Sequence, residues 1–370
     1  MAFITFSFFL FLMAIVEKRF FFNISIFITG LYFSCTYGYG YDWINYRETY
    51  IWLDSGNYDK FFIEPGITLA MSAFKFFGLP FEAFIFSCSA FMYYSTYRFC
   101  RDLKNPNLAF FTIFSFLGFF LFSEWIRQGL AIAIVMLGMC KLRLGGRGLF
   151  FICAVIASFF HISAICTLVY FVINKNTKRS MYLSITTGSA LLFFLLFSLY
   201  NPVVFSIIPI IGDKISAYAK LMSETSIDPI MFIVTSRIVY IYILLFVVFF
   251  FLRKRGDIYG AVSSSFFLLI SRMSPVLIRI GYLFVPAFVQ SVDDYMEKKG
   301  RGLKTKLQKL IYILIILMIS TIPYFSSYMS SAMQLGVSIL SDNKEIQRSI
   351  YEKCAIINME SETHTIFTCK

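Results

Sequence analysis

The chain has 370 residues, 58% hydrophobic and only 15% charged, with a mean hydropathy of +0.73 and a net charge of +12. One residue in five is aromatic, 47 Phe and 23 Tyr among them, more than a water-soluble core could hide. With no long polar region, no G-x-G-x-x-G and no Walker lysine, a soluble nucleotide-binding enzyme is excluded, and the positive charge has to be read against a bilayer before it is read as a nucleic-acid footprint.

In chain order, apolar stretches predict spans at about 2–16, 20–37, 81–97, 107–123, 127–140, 181–200, 230–252, 258–271, 275–290 and 308–325. Several are short for a crossing of about 20 residues. The expected fold is all-α: a polytopic integral membrane protein of about ten transmembrane helices with re-entrant or interfacial segments. Residues 1–325 would form one membrane domain, with outer loops at 36–80 and 201–229, and 326–370 an extracytoplasmic polar tail. Placing 17–19, 98–106, 141–147, 174–179, 253–257 and 293–309 in the cytoplasm gathers 20 of the 33 Lys and Arg there, against 6 of the 21 acids. The rule that basic loops stay inside weights Arg253-Lys254-Arg255 and Lys298-Lys299-Arg301-Lys304-Lys306 most, and it leaves both termini outside. The first span runs into Glu17-Lys18-Arg19 rather than a small-residue cleavage site, so no cleavable signal peptide is expected.

The loop from 36 to 65 carries the acids Asp42, Glu48, Asp54, Asp59 and Glu64 among Tyr37, Tyr39, Tyr41, Trp43, Tyr46, Tyr50, Trp52 and Tyr58. Carboxylates accept hydrogen bonds from hydroxyl groups and flat rings give contact area at low entropic cost, a combination that suits sugars; an ordinary interfacial aromatic belt is the plainer reading. A helix over 42–53 would put Asp42, Tyr46 and Tyr50 on one face. The stretch from Glu64-Pro65-Gly66 to Pro80 is too short to cross and carries Lys75, which makes it an interfacial or re-entrant segment.

Arg127, Arg237 and Arg279 all fall within the outer part of apolar stretches. An arginine near the bilayer centre costs at least about 2.5–3.5 kcal/mol, so three at similar depth imply a hydrated pocket or an anionic partner. A guanidinium offers a bidentate fork to phosphate oxygens, and pyrophosphate is the natural match; snorkelling or pairing with Glu124 or Asp228 is the alternative. Residues 149–173 have His161 in the middle and basic clusters on both sides. Split there, each arm is about 18 Å long, too short for about 30 Å of hydrocarbon. That predicts a re-entrant hairpin with His161 at its tip beside a covered cavity.

Six cysteines, Cys35, Cys88, Cys100, Cys140, Cys153 and Cys166, lie in or at apolar segments and read as small hydrophobes. Cys354 and Cys369 sit in the tail, where a disulfide is open to them. Without a C-x-x-C or a histidine pair at ligand spacing, neither a metal nor another cofactor is expected.

The run YGYGYDWINYRETY, then EPG at 64–66, EWIRQGLAIAIVMLG at 124–138 and ASFFHISAI at 157–165, in that order, resembles the EpsG-type branch of the O-antigen and exopolysaccharide polymerases. The resemblance covers roughly 35–175, with an echo at RIGYLFVP, 279–286, and Arg127 with Gly138 matches an R-x10-G pattern of these enzymes. Where the family often has an arginine before the first glycine of its G-x-D stretch, this chain has Thr36 and Tyr37, which weakens a phosphate contact from that point. The resemblance implies a GT-C-like, metal-independent glycosyltransferase in the bacterial inner membrane with its active site facing outward. It would move a growing glycan from its undecaprenyl diphosphate to the next undecaprenyl-diphosphate-linked repeat unit. A chain-length regulator is a conceivable partner, and nucleic acid is not one. On this reading Arg127 and Arg279 stabilise the leaving pyrophosphate, and His161 or Asp42 takes the acceptor's proton. Arg237, Gln128, Tyr46 and Glu64 bind substrate. A flippase for lipid-linked oligosaccharides would want the same outward arginines, although no internal repeat supports a transporter. A ligase differs only in acceptor, while an acyltransferase would want an acid paired with His161.

Overall fold

A computed structural model describes residues 2–16, 18–53, 64–205, 215–216, 220, 236–253, 258–272, 277–298, 303–334 and 336–361. Asp54, Tyr58, Asp59, Lys60, most of 206–235 with Asp228, the Arg237 side chain and Cys369 lie outside them. The described chain is all-α apart from two two-residue strands, and it divides into two compact units: 1–168 with 292–353, and 169–291 with 354–370.

In the first unit, α1 (Ala2–Val16) and α2 (Arg19–Cys35) lead to strand β1 (Thr36–Tyr37) and the helix α3 (Asp42–Trp52). Then come α4 (Pro65–Phe76), α5 (Phe81–Arg101), α6 (Pro106–Leu117), a π-helical turn (Phe120–Glu124), α7 (Ile126–Arg143) and α8 (Arg147–Phe160). Proline opens α4 and α6, where its missing N–H costs nothing. Helix α7 is the centre of this unit: most of its residues are buried, and it packs on α5 and α8. The three-residue link to α8 turns back tightly, with the Gly145 N–H donating to the Leu142 carbonyl and the Gly146 N–H to that of Lys141. The expected break at His161 is present: α8 stops at Phe160, His161 is extended, and a 3-10 helix (Ile162–Val169) follows. The expected 107–123 span is instead two pieces, α6 and the π turn.

In the second unit are α9 (Tyr170–Ile173), α10 (Lys178–Tyr200), α11 (Arg237–Leu252), α12 (Tyr259–Ser271), α13 (Ile278–Tyr282) and the first half of α14 (Val285–Lys298). Helix α12 packs on α10, α11 and α13, and the rings of Phe267 and Phe284 stack at 4.1 Å. Arg272 is buried between Tyr242 and Tyr282, whose hydroxyls accept from its Nη2. The 275–290 stretch is interrupted between Tyr282 and Val285, just ahead of Pro286, which supplies no N–H to continue a helix.

The chain returns to the first unit with the second half of α14, then α15 (Leu303–Thr321) beside α1 and α6, and α16 (Ser327–Ala332). Strand β2 (Val337–Ser338) and most of α17 (Asn343–Ser361) complete it. Asp293 accepts the backbone N–H groups of Lys104 and Asn105. The segment read as a polar tail is tied in: β2 pairs antiparallel with β1, Thr36 opposite Ser338 and Tyr37 opposite Val337. Cys354 is disulfide-bonded.

Among the described residues, two helices, Lys178–Ser198 and Lys306–Phe325, are long and apolar enough by themselves to cross a membrane. Shorter apolar helices include Ala2–Val16, Arg19–Cys35 and Arg147–Phe160. Their outward faces are greasy: Phe27 on α2 is 68% exposed and Phe193 on α10 is 74% exposed. Apolar surface on that scale needs something other than water against it.

Candidate functional site

The site starts with a loop rich in tyrosine and glycine. Tyr37, Tyr39 and Tyr41 are buried, with Tyr39 edge-on to Phe3 and Tyr37 edge-on to the buried Trp43. Between them Gly40 has a φ of +76°, and a Cβ there would lie 1.8 Å from a carboxylate oxygen of Glu124. Only glycine satisfies both conditions. Glu124, at the end of the π turn, accepts the Tyr41 N–H at 3.2 Å. From the other side Lys353 of α17, fully buried, donates to the carbonyls of Gly40 (2.5 Å) and Ala332 (3.4 Å) and lies 5.4 Å from the centre of the Tyr41 ring. Burial pushes the Lys353 ammonium down to about 7, with the Glu124 carboxylate working against that shift.

The clamped loop delivers Asp42 to the first turn of α3, where the helix dipole favours a carboxylate. Tyr46 follows one turn later on the same face. The bend at Trp125 ends the π turn and starts α7, so Glu124 and Arg127, three residues apart, serve different neighbours. Arg127 Nη1 donates to Glu64 Oε2 at 2.5 Å, and the two side chains are 24% and 13% exposed. The guanidinium also hydrogen-bonds Tyr46, lies 5.7 Å from the centre of its ring and feels the charge of Asp42. Its Nε is buried and has no hydrogen-bond partner among the described residues. Gln128, next on α7, is buried.

Glu64 caps α4, its carbonyl accepting from Ile67 and Thr68. Two residues on, Gly66 lies so close to α8 that a Cβ would be 2.9 Å from the Phe159 carbonyl oxygen and 3.0 Å from the Phe160 ring. That close approach seats α4, and with it Glu64, against the end of α8, and the residue that follows Phe160 is His161. Its Nδ1 is 2.6 Å from the Ser163 hydroxyl.

Of the residues picked from sequence, Asp42, Tyr46, Glu64 and Arg127 come together, and His161 follows the contact that sets Glu64. Arg279, half-buried on α13, and Arg237, at the start of α11, belong to the second unit. Glu64, expected to touch sugar, is the ion-pair partner of Arg127. The sequence reading passed over Lys353 and the loop-holding role of Glu124. A signal existed: Ile346, Ser349 and Lys353 recur at helical spacing on the buried face of α17, and a lysine in such a stripe needs a partner.

Chemically, the cluster offers a guanidinium held by Glu64 with its Nε buried, a second carboxylate in Asp42, and the aromatic face of Tyr46. A family model described as the EpsG family matches residues 19–338. No curated protein and no solved structure matches the chain.

Proposed function

We propose that this chain, which belongs to the EpsG family, polymerises lipid-linked saccharide repeat units at the outer face of a bacterial inner membrane. Its family is membrane-associated and of polysaccharide-polymerase type. The observation that carries the reading is the Arg127 cluster, a guanidinium held by Glu64 and Tyr46 with Asp42 in electrostatic range.

The donor is a glycan on polyprenyl diphosphate and the acceptor a hydroxyl of the next lipid-linked unit. The acceptor oxygen bonds to the anomeric carbon, the bond from that carbon to the diphosphate oxygen breaks with its electron pair, and the hydroxyl proton goes to a base. Arg127 stabilises the charge that collects on the diphosphate. A preorganised donor of this kind contributes about 10²–10³ in rate. Glu64 and Tyr46 hold the Arg127 fork in place before substrate arrives. The base is Asp42, on the helix that carries Tyr46, or His161, where Ser163 engages Nδ1 and Nε2 takes the proton. Gln128 contributes to substrate binding. The helices form about ten crossings in a GT-C-like arrangement, with exposed apolar side chains against lipid.

A deletion strain scored on a glycan gel tests this. A polymerase mutant retains single repeat units on the carrier or core and loses the ladder, and a plasmid copy restores it. Repeat units stranded on the cytoplasmic side would instead identify a flippase.

A further inference from the structure

On α3, beginning with the residue after Tyr46, lies a cleft of about 360 Å³, lined by Arg47, Tyr50, Ile51, Lys75, Phe81, Glu82 and Asn343. Its charges come from three elements. Arg47 is the residue after Tyr46 on α3, half-buried, and among the described residues it makes no ion pair or hydrogen bond. Lys75, in the last turn of α4, donates to the Ile51 carbonyl at 2.9 Å and lies 5.8 Å from the centre of the Tyr50 ring, which fixes its ammonium at the rim. Glu82, in the first turn of α5, accepts from the Tyr37 hydroxyl at 3.2 Å. Tyr50 is pinned in turn, its hydroxyl donating to the Leu79 carbonyl at 2.7 Å. Asn343 brings the first turn of α17 to the edge, where Asp342 is engaged with the Glu345 N–H.

Two cations and one carboxylate around aromatic edges make a specific demand. A bare anion would gain from Arg47 and Lys75 but be repelled by Glu82. A neutral sugar would satisfy Glu82 through a hydroxyl and leave Arg47 unanswered. A ligand with one acid group and neighbouring hydroxyls satisfies all three. We propose that this cleft is a glycan subsite for an acid-bearing sugar, of the uronic acid class, with Arg47 and Lys75 holding the acid group and Glu82 an adjacent hydroxyl. The inference rests on the polymerase reading and names the substrate class: a repeat unit carrying an acidic residue. A phospholipid headgroup shares the anionic chemistry, but its phosphodiester lacks the ring hydroxyls that Glu82 would meet.

Purified full-length protein in nanodiscs of zwitterionic lipid, titrated with trigalacturonic acid and with maltotriose, tests the cleft without needing the native substrate. Trigalacturonic acid binds about tenfold tighter than maltotriose, the worth of one charge-assisted hydrogen bond, and the preference falls as salt rises. The Arg47→Gln/Lys75→Gln double variant binds both equally, while Arg47→Lys keeps part of the preference. Equal binding of the two trisaccharides by the wild-type protein overturns the proposal whatever the variants do. So does an unchanged preference in the double variant. Native mass spectrometry with added phosphatidylglycerol forms the other arm: loss of bound lipid from the double variant with no change in trigalacturonic acid binding would make the cleft a headgroup site and overturn the sugar assignment. These are equilibrium readouts, so failure of the polymerase reading would appear separately, as an intact ladder in the deletion strain.

Discussion

At the level of single residues, Arg127 and Glu64 are a pair whose members fail differently. Removing Arg127 takes away the charge that meets diphosphate and also leaves Glu64 in a mostly buried position without its cation, which typically costs about 3–5 kcal/mol. Arg127→Ala is therefore expected to lower both chain extension, by about 10²–10³, and thermal stability. Arg127→Ala with Glu64→Gln should recover much of the stability and none of the activity, and Arg127→Lys should rescue poorly because the fork is lost. Extension of lipid-linked repeat units and unfolding temperature, measured on the same preparations, separate the two effects; recovered activity in the double variant would remove Arg127 from the chemistry. Lys353 makes a different prediction. Its native value near 7 lies below the ordinary 10.5 of the unfolded chain, so between those values the unfolded state holds the extra proton. Stability must then rise with pH from about 7 toward 10.5, by up to about 1.4 kcal/mol per pH unit, and stay level with respect to this group below the window. Unfolding midpoints of the wild type should climb from pH 7 to 9, and Lys353→Met should lose that climb. Parallel profiles for the two proteins would mean the buried amine does not titrate there.

Among elements, the helices were the readable part. The expected first span, 2–16, is α1 residue for residue, and the break at His161 was foreshadowed by the basic clusters on both sides of 149–173, which a single crossing would put on opposite faces of the membrane. Helices announce themselves through local composition and through the prolines and glycines at their ends. The site was readable only as separate ingredients. Asp42, Tyr46, Glu64 and Arg127 could each be picked out as polar groups in apolar company, but that Glu64 meets Arg127 across 63 positions depends on Gly66 seating α4 against α8, and no local pattern encodes that. The largest misreading of scale concerned α17, whose polar composition suggests a tail, while Lys353 reaches the carbonyl of Gly40 across 313 positions. Helix α17 should therefore be indispensable to a site it does not enter. Deleting 343–370 would leave the Gly40 and Ala332 carbonyls and the Glu124 carboxylate without the ammonium between them, a cost of roughly 1–3 kcal/mol per buried group. The ladder should disappear while the protein still inserts, whereas Tyr351→Ser, on the exposed side of the same helix, should leave it intact. A normal ladder from the truncated chain would show that the loop holds Asp42 unaided.

For the whole molecule, the proposed chemistry makes sense in only one orientation. Repeat units joined outside the cell require loop 36–42, α3 and α17 on the outer side, and the turn between α7 and α8 with its neighbours Lys141, Arg143 and Arg147 on the inner side. Basic side chains in short loops are retained in the cytoplasm, so the charge distribution and the site geometry make independent demands on the same variable. Helix α7 links them: Arg127 stands at its first turn, Arg143 at its last, and 18 residues at 1.5 Å each separate the ends by about 27 Å, close to the hydrocarbon thickness. Single cysteines report on both ends. With Cys35, Cys88, Cys100, Cys140, Cys153 and Cys166 replaced by serine, Asn45→Cys on α3 and Leu340→Cys just before α17, both exposed, should react with a membrane-impermeant maleimide in intact cells. Leu144→Cys, at the 84% exposed turn after α7, should react only after the cells are opened. The reverse pattern would put Arg127 on the cytoplasmic side, where units are assembled rather than joined, and the same guanidinium would then have to serve a different reaction.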